Sequence, residues 1–219
     1  MSSRKDEIAQ ALDQVRSEIA PFNPTLIVVT KTYPLSDVEI LASLGVGEFG
    51  ENRDGEGAEK APALPGRWHF QGEIQSKKLR SILTWANCIQ SLDSLDHAKK
   101  IDRICSEMNQ NIDLFLQLSL DGDPSRGGVQ ESELMKLSEE VTHLPQINLM
   151  GIMSVPPVSA DPKEAFAEIS SIHQRFKATY PSSPYLSAGM SGDYLLALSH
   201  GATHIRVGSK ILGARHYDQ

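Results

Sequence analysis

Eight short apolar runs, at 26–31, 47–50, 68–71, 88–92, 114–120, 147–153, 185–188 and 204–207, recur along the chain, each followed by a polar or glycine-rich turn and then a helical pattern. Parallel strands need helical crossovers, and closing the sheet removes both exposed edges. The alternation therefore predicts an α/β fold, a single (β/α)8 TIM-type barrel, with one additional helix at the N-terminus. That helix is expected over 3–19, where Ile8, Leu12, Val15 and Ile19 fall at helical spacing and Pro21 and Pro24 follow. Other punctuation agrees: Pro34 opens a helix that Gly45 ends, Asp161-Pro162 is an N-cap with a first-turn proline, and Gly201 closes the helix before the last run. The alternative is an open doubly wound sheet, but no GxGxxG follows the first run and no break in composition separates two halves. At 219 residues the chain is expected to form one domain, 1–219.

Composition excludes several function classes. With 21 Lys+Arg against 28 Asp+Glu the net charge is −7, which argues against a binder of nucleic-acid backbones, so any anion site must be local. Cys88 and Cys105 are the two thiols and form no CxxC, as expected for reduced cysteines in a cytoplasmic protein. No apolar stretch approaches the roughly 18 residues of a membrane span, and the charged N-terminus lacks a signal-peptide core. His97, His143, His173, His200, His204 and His216 do not suggest a metal site. Lys77, Lys78 and Arg80 read as a solvated helix face.

In a barrel the chemistry collects at the carboxyl ends of the strands. Lys31 closes the first run and is followed at once by Thr32-Tyr33-Pro34. An unpaired ammonium is costly to bury, so such a lysine is exposed at the rim, ion-paired, or held neutral for covalent chemistry. Glu51-Asn52 follow the second run, His69 with Gln71-Gly72 mark the third, and 122–128 form a glycine-rich loop after the fifth. After the seventh run come Gly189-Met190-Ser191-Gly192-Asp193, and after the eighth Arg206-Val207-Gly208-Ser209-Lys210. Loops in these two places commonly bind phosphate in barrels, although each taken alone also reads as ordinary turn glycines with capping serines. A phosphate site beside a strand-end lysine implies a ligand carrying both an aldehyde and a phosphate, namely pyridoxal 5′-phosphate (PLP). Arg206 would then face the pyridine nitrogen and, as a permanent donor, leave that nitrogen without a proton of its own.

These segments resemble the pyridoxal phosphate homeostasis proteins, single-domain fold-type III proteins similar to the barrel domain of bacterial alanine racemase. The resemblance rests on Val29-Thr30-Lys31-Thr32-Tyr33-Pro34, Phe49-Gly50-Glu51-Asn52, Trp68-His69-Phe70-Gln71-Gly72 with Gln75-Ser76, Gly151-Ile152-Met153, Gly189-Met190-Ser191-Gly192-Asp193 and Arg206-Val207-Gly208-Ser209. It implies an internal aldimine at Lys31, Arg206 at the pyridine nitrogen, phosphate held by Ser191, Gly208 and Ser209, and Asn52 and His69 lining the pocket. Arg126 stands where the family usually has a lysine and Lys77 where it usually has an asparagine, so a relay through a second lysine in the fifth loop is not expected.

The resulting expectation is a vitamin B6 homeostasis protein that tethers PLP without dedicated turnover, serves PLP-dependent apoenzymes as recipients, and works as a monomer. A racemase of the alanine racemase type needs a second acid–base group, which in that family comes from another domain and subunit, and the chain ends at Gln219 soon after the eighth run. The alternatives are a racemase that uses a residue inside the barrel, His69 being the candidate, or an aldolase-like barrel in which Lys31 forms a Schiff base with a sugar phosphate and no PLP is bound.

Overall fold

The computed structural model describes residues 2–214. Helix α1 (Arg4–Ile19) precedes β1 (Thr25–Val29), and the chain then alternates α2 (Leu35–Ser43), β2 (Glu48–Glu51), α3 (Asp54–Lys60), β3 (Arg67–Phe70), α4 (Leu79–Trp85), β4 (Cys88–Leu92) and α5 (Leu95–Glu107). It continues through β5 (Ile112–Leu118), α6 (Glu131–Thr142), β6 (Ile147–Ser154), α7 (Pro162–Thr179), β7 (Tyr185–Ser187), α8 (Tyr194–Ser199), β8 (His204–Val207) and α9 (Ser209–Leu212). The strands follow chain order around a closed parallel barrel, and β8 pairs with β1 in the register Ile27 to Arg206 and Val28 to Val207. This is the (β/α)8 barrel with an extra N-terminal helix that the alternation predicts.

Local chemistry explains the punctuation. Ser3 and Asp6 form a reciprocal capping box at the start of α1. Ile8, Leu12, Val15 and Ile19 are buried along one stripe of that helix, each contributing roughly 2 kcal/mol of burial. Asp161 accepts from the Lys163 and Glu164 amides to start α7, while Gly45 and Gly201, with φ of 78° and 90°, end α2 and α8.

Two strands, β1 and β5, depart most from the apolar runs, and β6 carries an irregularity. β1 stops at Val29, although the Thr30 amide still donates to Gly50 O at 2.9 Å, so Lys31 lies just beyond the last ladder bond. β5 starts earlier, at Ile112, and ends at Leu118, because the Ser119 hydroxyl takes part in the following turn by accepting from the Gly122 amide. Gly151 sits at a register shift in β6, and a Cβ there would lie 1.9 Å from Tyr185 O, so only glycine lets β6 and β7 approach this closely. Among the described residues no helix is long and apolar enough to cross a membrane.

Candidate functional site

A cavity of about 270 Å³ opens at the carboxyl ends of the strands, beside the β8–β1 seam. Lys31, Asn52, Ser191, Arg206, Gly208 and Ser209 all line it, together with Gln71, Met153, Val155 and Met190 among others. Six of the seven residues singled out in the sequence therefore meet around one space, contributed by the ends of β1, β2, β7 and β8.

The two glycine–serine loops converge on a single hydroxyl. Ser191 Oγ accepts from the Gly208 amide at 3.1 Å and from the Lys210 amide at 3.3 Å, tying the loop after β7 to the one after β8. Met190 N donates to Asp193 Oδ1 at 2.6 Å, which closes the turn on which Ser191 sits. A Cβ on Gly208 would lie 2.9 Å from Val29 O, so glycine is what lets this loop press against β1. The result is a concave point where two backbone amides face one acceptor position, filled here by Ser191 Oγ, an arrangement that an anion's oxygen can also satisfy.

Arg206 is a buried cation, 5% exposed, whose Nη1 donates to Ser187 Oγ at 2.8 Å and whose Nη2 donates to Ser154 O at 3.1 Å. Among the described residues no carboxylate reaches it within ion-pair distance. Burial pushes its pKa down to about 10, with Asp193 opposing, so the guanidinium stays charged at neutral pH. A buried charge whose protein partners are a hydroxyl and a carbonyl is well placed to meet an acceptor on a ligand.

Lys31 is held from both sides by a buried ion cluster. On one side, Thr30 Oγ1 donates to Glu51 Oε1 at 2.6 Å and Lys60 Nζ donates to Thr30 O at 2.9 Å; on the other, the Thr32 amide donates to Glu56 Oε2 at 2.6 Å. Lys60 bridges Glu51 at 2.7 Å and Glu56 at 3.2 Å. Thr32 sits at φ 69°, where a β-branched residue is strained by roughly 1–3 kcal/mol, and the Glu56 bond helps hold it there. Burial raises the Glu51 carboxyl above its ordinary value despite Lys60 and Thr30. Burial also pushes Glu56 upward, but the Thr32 amide and Lys60 together bring it below the usual range.

His69 does not line the cavity. Its side chain is 1% exposed inside the barrel, Nε2 lying 2.6 Å from Glu48 Oε2 and Nδ1 lying 3.0 Å from Gln90 Nε2. Because alternate strand residues face opposite ways, its two-residue offset from Gln71, which does line the cavity, keeps it on the inner face but one layer deeper. Arg126 is likewise outside the cavity: it donates to Val155 O and Pro156 O at 2.9 and 2.7 Å and borders a neighbouring space of about 640 Å³. Lys77, Lys78 and Arg80 are exposed, as expected of a solvated face. Cys88 and Cys105 are buried and unbridged, and burial raises both thiols, that of Cys105 to about 11. His200 and His204 stand four residues apart but are split by the Gly201 turn, and His216 lies outside the described residues. Among the described residues no group of three or more His, Cys, Asp or Glu could hold a metal ion.

Lys60, Gln90 and Ser187 are structural participants that the sequence did not single out. Lys60 resembles a surface residue paired four positions from Glu56, whereas Gln90 could have been found, since it is a large polar residue inside a short run that Ile89 and Leu92 mark as buried.

Residues 4–216 match the family model described as alanine racemase, N-terminal domain. The pyridoxal phosphate homeostasis protein of Corynebacterium glutamicum is 39% identical over 198 residues, covering 87% of this chain and 90% of that protein. The chain belongs to the pyridoxal phosphate homeostasis protein family, on an alanine racemase N-terminal domain. Another member, from Mycobacterium leprae, is 33% identical over 240 residues, covering 96% of this chain and 93% of its own length. The solved structure of PipY from Synechococcus elongatus PCC7942 with PLP bound superposes with a TM-score of 0.86 at 31% identity, covering 94% of this chain and all of that one.

Proposed function

We propose that this chain binds PLP in the cavity at the β8–β1 seam, is joined to it through Lys31, and serves in PLP homeostasis as a holder of the cofactor. The observation that carries this reading is the convergence on one cavity of a strand-end amine, a buried guanidinium and the Ser191–Gly208–Ser209 cradle. When bound, the cofactor supplies an aldehyde carbon that condenses with a primary amine, releasing water. The chain's own groups match its other two features. Arg206, whose two terminal nitrogens are tethered behind it, has further N–H donors for the unprotonated pyridine nitrogen. Ser191, Ser209 and the amide of Gly208 would hold the phosphate, Ser191 Oγ and the Gly208 amide already lying 3.1 Å apart where the two loops meet. Asn52 fills the side of the cavity nearest β2.

The wall of the cavity also bears on turnover. Among its described residues Lys31 and Arg206 are the titratable groups. Abstracting a proton on one face of a carbanion and returning it on the other would need a second acid–base group besides Lys31. His69, the in-barrel alternative, is sealed beneath the cavity by its bonds to Glu48 and Gln90. On this reading the chain acts as a single-domain monomer in the cytoplasm, with PLP-dependent apoenzymes as recipients.

The test is the absorption spectrum of the purified protein before and after addition of PLP. A visible band that Lys31→Ala abolishes is expected, and a wild-type protein that stays colourless in excess PLP overturns the proposal. Exchange of the α-protons of amino acids in deuterated water checks the non-catalytic part. Sustained exchange that depends on Lys31 would establish an enzyme.

A further inference from the structure

A continuous polar chain runs through the barrel interior from Arg206 to the opposite end. Arg206 Nη1 lies 2.8 Å from Ser187 Oγ, Ser187 Oγ lies 2.6 Å from Gln90 Oε1, Gln90 Nε2 lies 3.0 Å from His69 Nδ1, and His69 Nε2 lies 2.6 Å from Glu48 Oε2. Gln90 and Ser187 are fully buried, and His69 and Arg206 nearly so, while Glu48, the first residue of β2, is partly exposed at the amino end of the barrel. Burying four polar side chains in a barrel core is costly unless each donor finds an acceptor, and here the pairing admits one polarity.

The two ends impose that polarity. A guanidinium can only donate, so Ser187 Oγ accepts from Arg206 and spends its own proton on Gln90 Oε1. The Gln90 amide group must then donate to His69 Nδ1, which has to be unprotonated, leaving the ring proton on Nε2 to donate to the Glu48 carboxylate. Every bond points from Arg206 toward Glu48. A proton added to Nδ1 would set two donors against each other, so the chain holds His69 neutral, in agreement with the lowering of its pKa by burial.

We propose that Gln90, Ser187 and His69 are positioning residues for Arg206, a one-way hydrogen-bonded strut, anchored on Glu48, that fixes the guanidinium against the cavity. With Nη1 tied to Ser187 and Nη2 to Ser154 O, the remaining N–H donors have one orientation, which a flexible arginine would otherwise have to adopt at an entropic cost on each binding event. The role in cofactor binding rests on the PLP reading above, whereas the strut itself is a property of the protein alone.

The test separates these two levels. In protein without PLP, long-range nitrogen–proton correlation spectra should show His69 as the neutral Nε2–H tautomer. Gln90→Glu, which keeps the volume but leaves a carboxylate facing Nδ1, should convert His69 to the doubly protonated form at neutral pH, a change that a space-filling role for Gln90 would not produce. Gln90→Leu should speed hydrogen exchange of the Arg206 guanidinium about tenfold or more, weaken PLP binding about tenfold and shift the visible band, while colour still depends on Lys31. Should Gln90→Leu fail to fold, Ser187→Ala breaks the adjacent link and carries the same expectations. An Nδ1–H tautomer in the wild type, a neutral His69 in Gln90→Glu, or unchanged Arg206 exchange on breaking the strut would overturn the proposal, as would unchanged PLP affinity where Arg206→Gln lowers it. If the wild type binds no PLP, the functional reading fails by itself and the tautomer and exchange measurements still decide the strut.

Discussion

Lys60→Met tests whether the ion cluster behind Lys31 is an energetic keystone. Lys60 is 4% exposed and Glu51 fully buried, so removing the ammonium strands a carboxylate in the core and also strips the donor from Thr30 O. Removing one partner of such a pair costs about 3–5 kcal/mol, which for a chain of this size corresponds to a fall of roughly 6–20 °C in Tm. The loss should depend on pH in a defined direction. Burial already holds the Glu51 pKa above its ordinary 4.5, and losing Lys60, which opposes that shift, raises it further. A carboxyl raised on folding adds stability below its unfolded pKa and loses it as pH rises through the folded value, because the folded state then binds the extra proton. The deficit of Lys60→Met relative to wild type is therefore greatest at pH 8 and narrows as the pH falls toward 5. Urea unfolding of PLP-free protein across that range measures it, and adding Glu51→Gln should recover much of the loss. A deficit under about 1 kcal/mol, or one that is flat from pH 8 to 5, would refute the view that Lys60 neutralises a charged Glu51.

Three further expectations follow from the cavity and the barrel interior. Ser191→Ala combined with Ser209→Ala should weaken PLP retention roughly thirtyfold to 150-fold, on the basis of about 1–1.5 kcal/mol per lost hydrogen bond, yet leave the Lys31-dependent colour attainable in excess PLP; equilibrium dialysis measures it, and unchanged affinity would misplace the phosphate site. Gly208→Val should abolish retention with a smaller effect on stability, since its Cβ would lie 2.9 Å from Val29 O and force the loop away from β1; co-purified PLP, assayed after denaturation, reports the outcome. His204, held down to about 4 chiefly by burial, binds a proton more readily when unfolded, so stability should fall by up to about 3 kcal/mol as pH drops from 6.5 through 4, and His204→Asn should flatten that limb in acid titrations followed by circular dichroism.

The barrel was legible because its determinants are local. Each strand follows a short apolar run, and several helix boundaries carry their own cap or stop, as Ser3, Asp161 and Gly201 illustrate. The cavity was legible in Lys31, Asn52, Ser191, Arg206, Gly208 and Ser209 because barrel topology brings strand ends together whatever lies between them. Depth within the barrel was not. His69 and Gln71 share an inner face, and only the stagger of neighbouring strands decides that Gln71 reaches the mouth while His69 lies one layer below. Lys60 was hidden for a different reason: its partner Glu51 is on another element, and a lysine four residues from a glutamate looks solvated until the packing above it is known.

The pairing of Ile27 with Arg206 and Val28 with Val207 joins the first strand of the chain to the eighth. Lys31 lies just after one side of that seam, while Arg206 and Gly208 belong to the other, so the cavity is assembled by the strand pairing most distant in sequence. Closing so long a loop is entropically late, and a chain emerging from the ribosome cannot complete the cavity until β8 has been made. Ligand retention is thereby a proofreading signal for the finished barrel: an incomplete or circularly opened chain keeps its lysine but has no site around it.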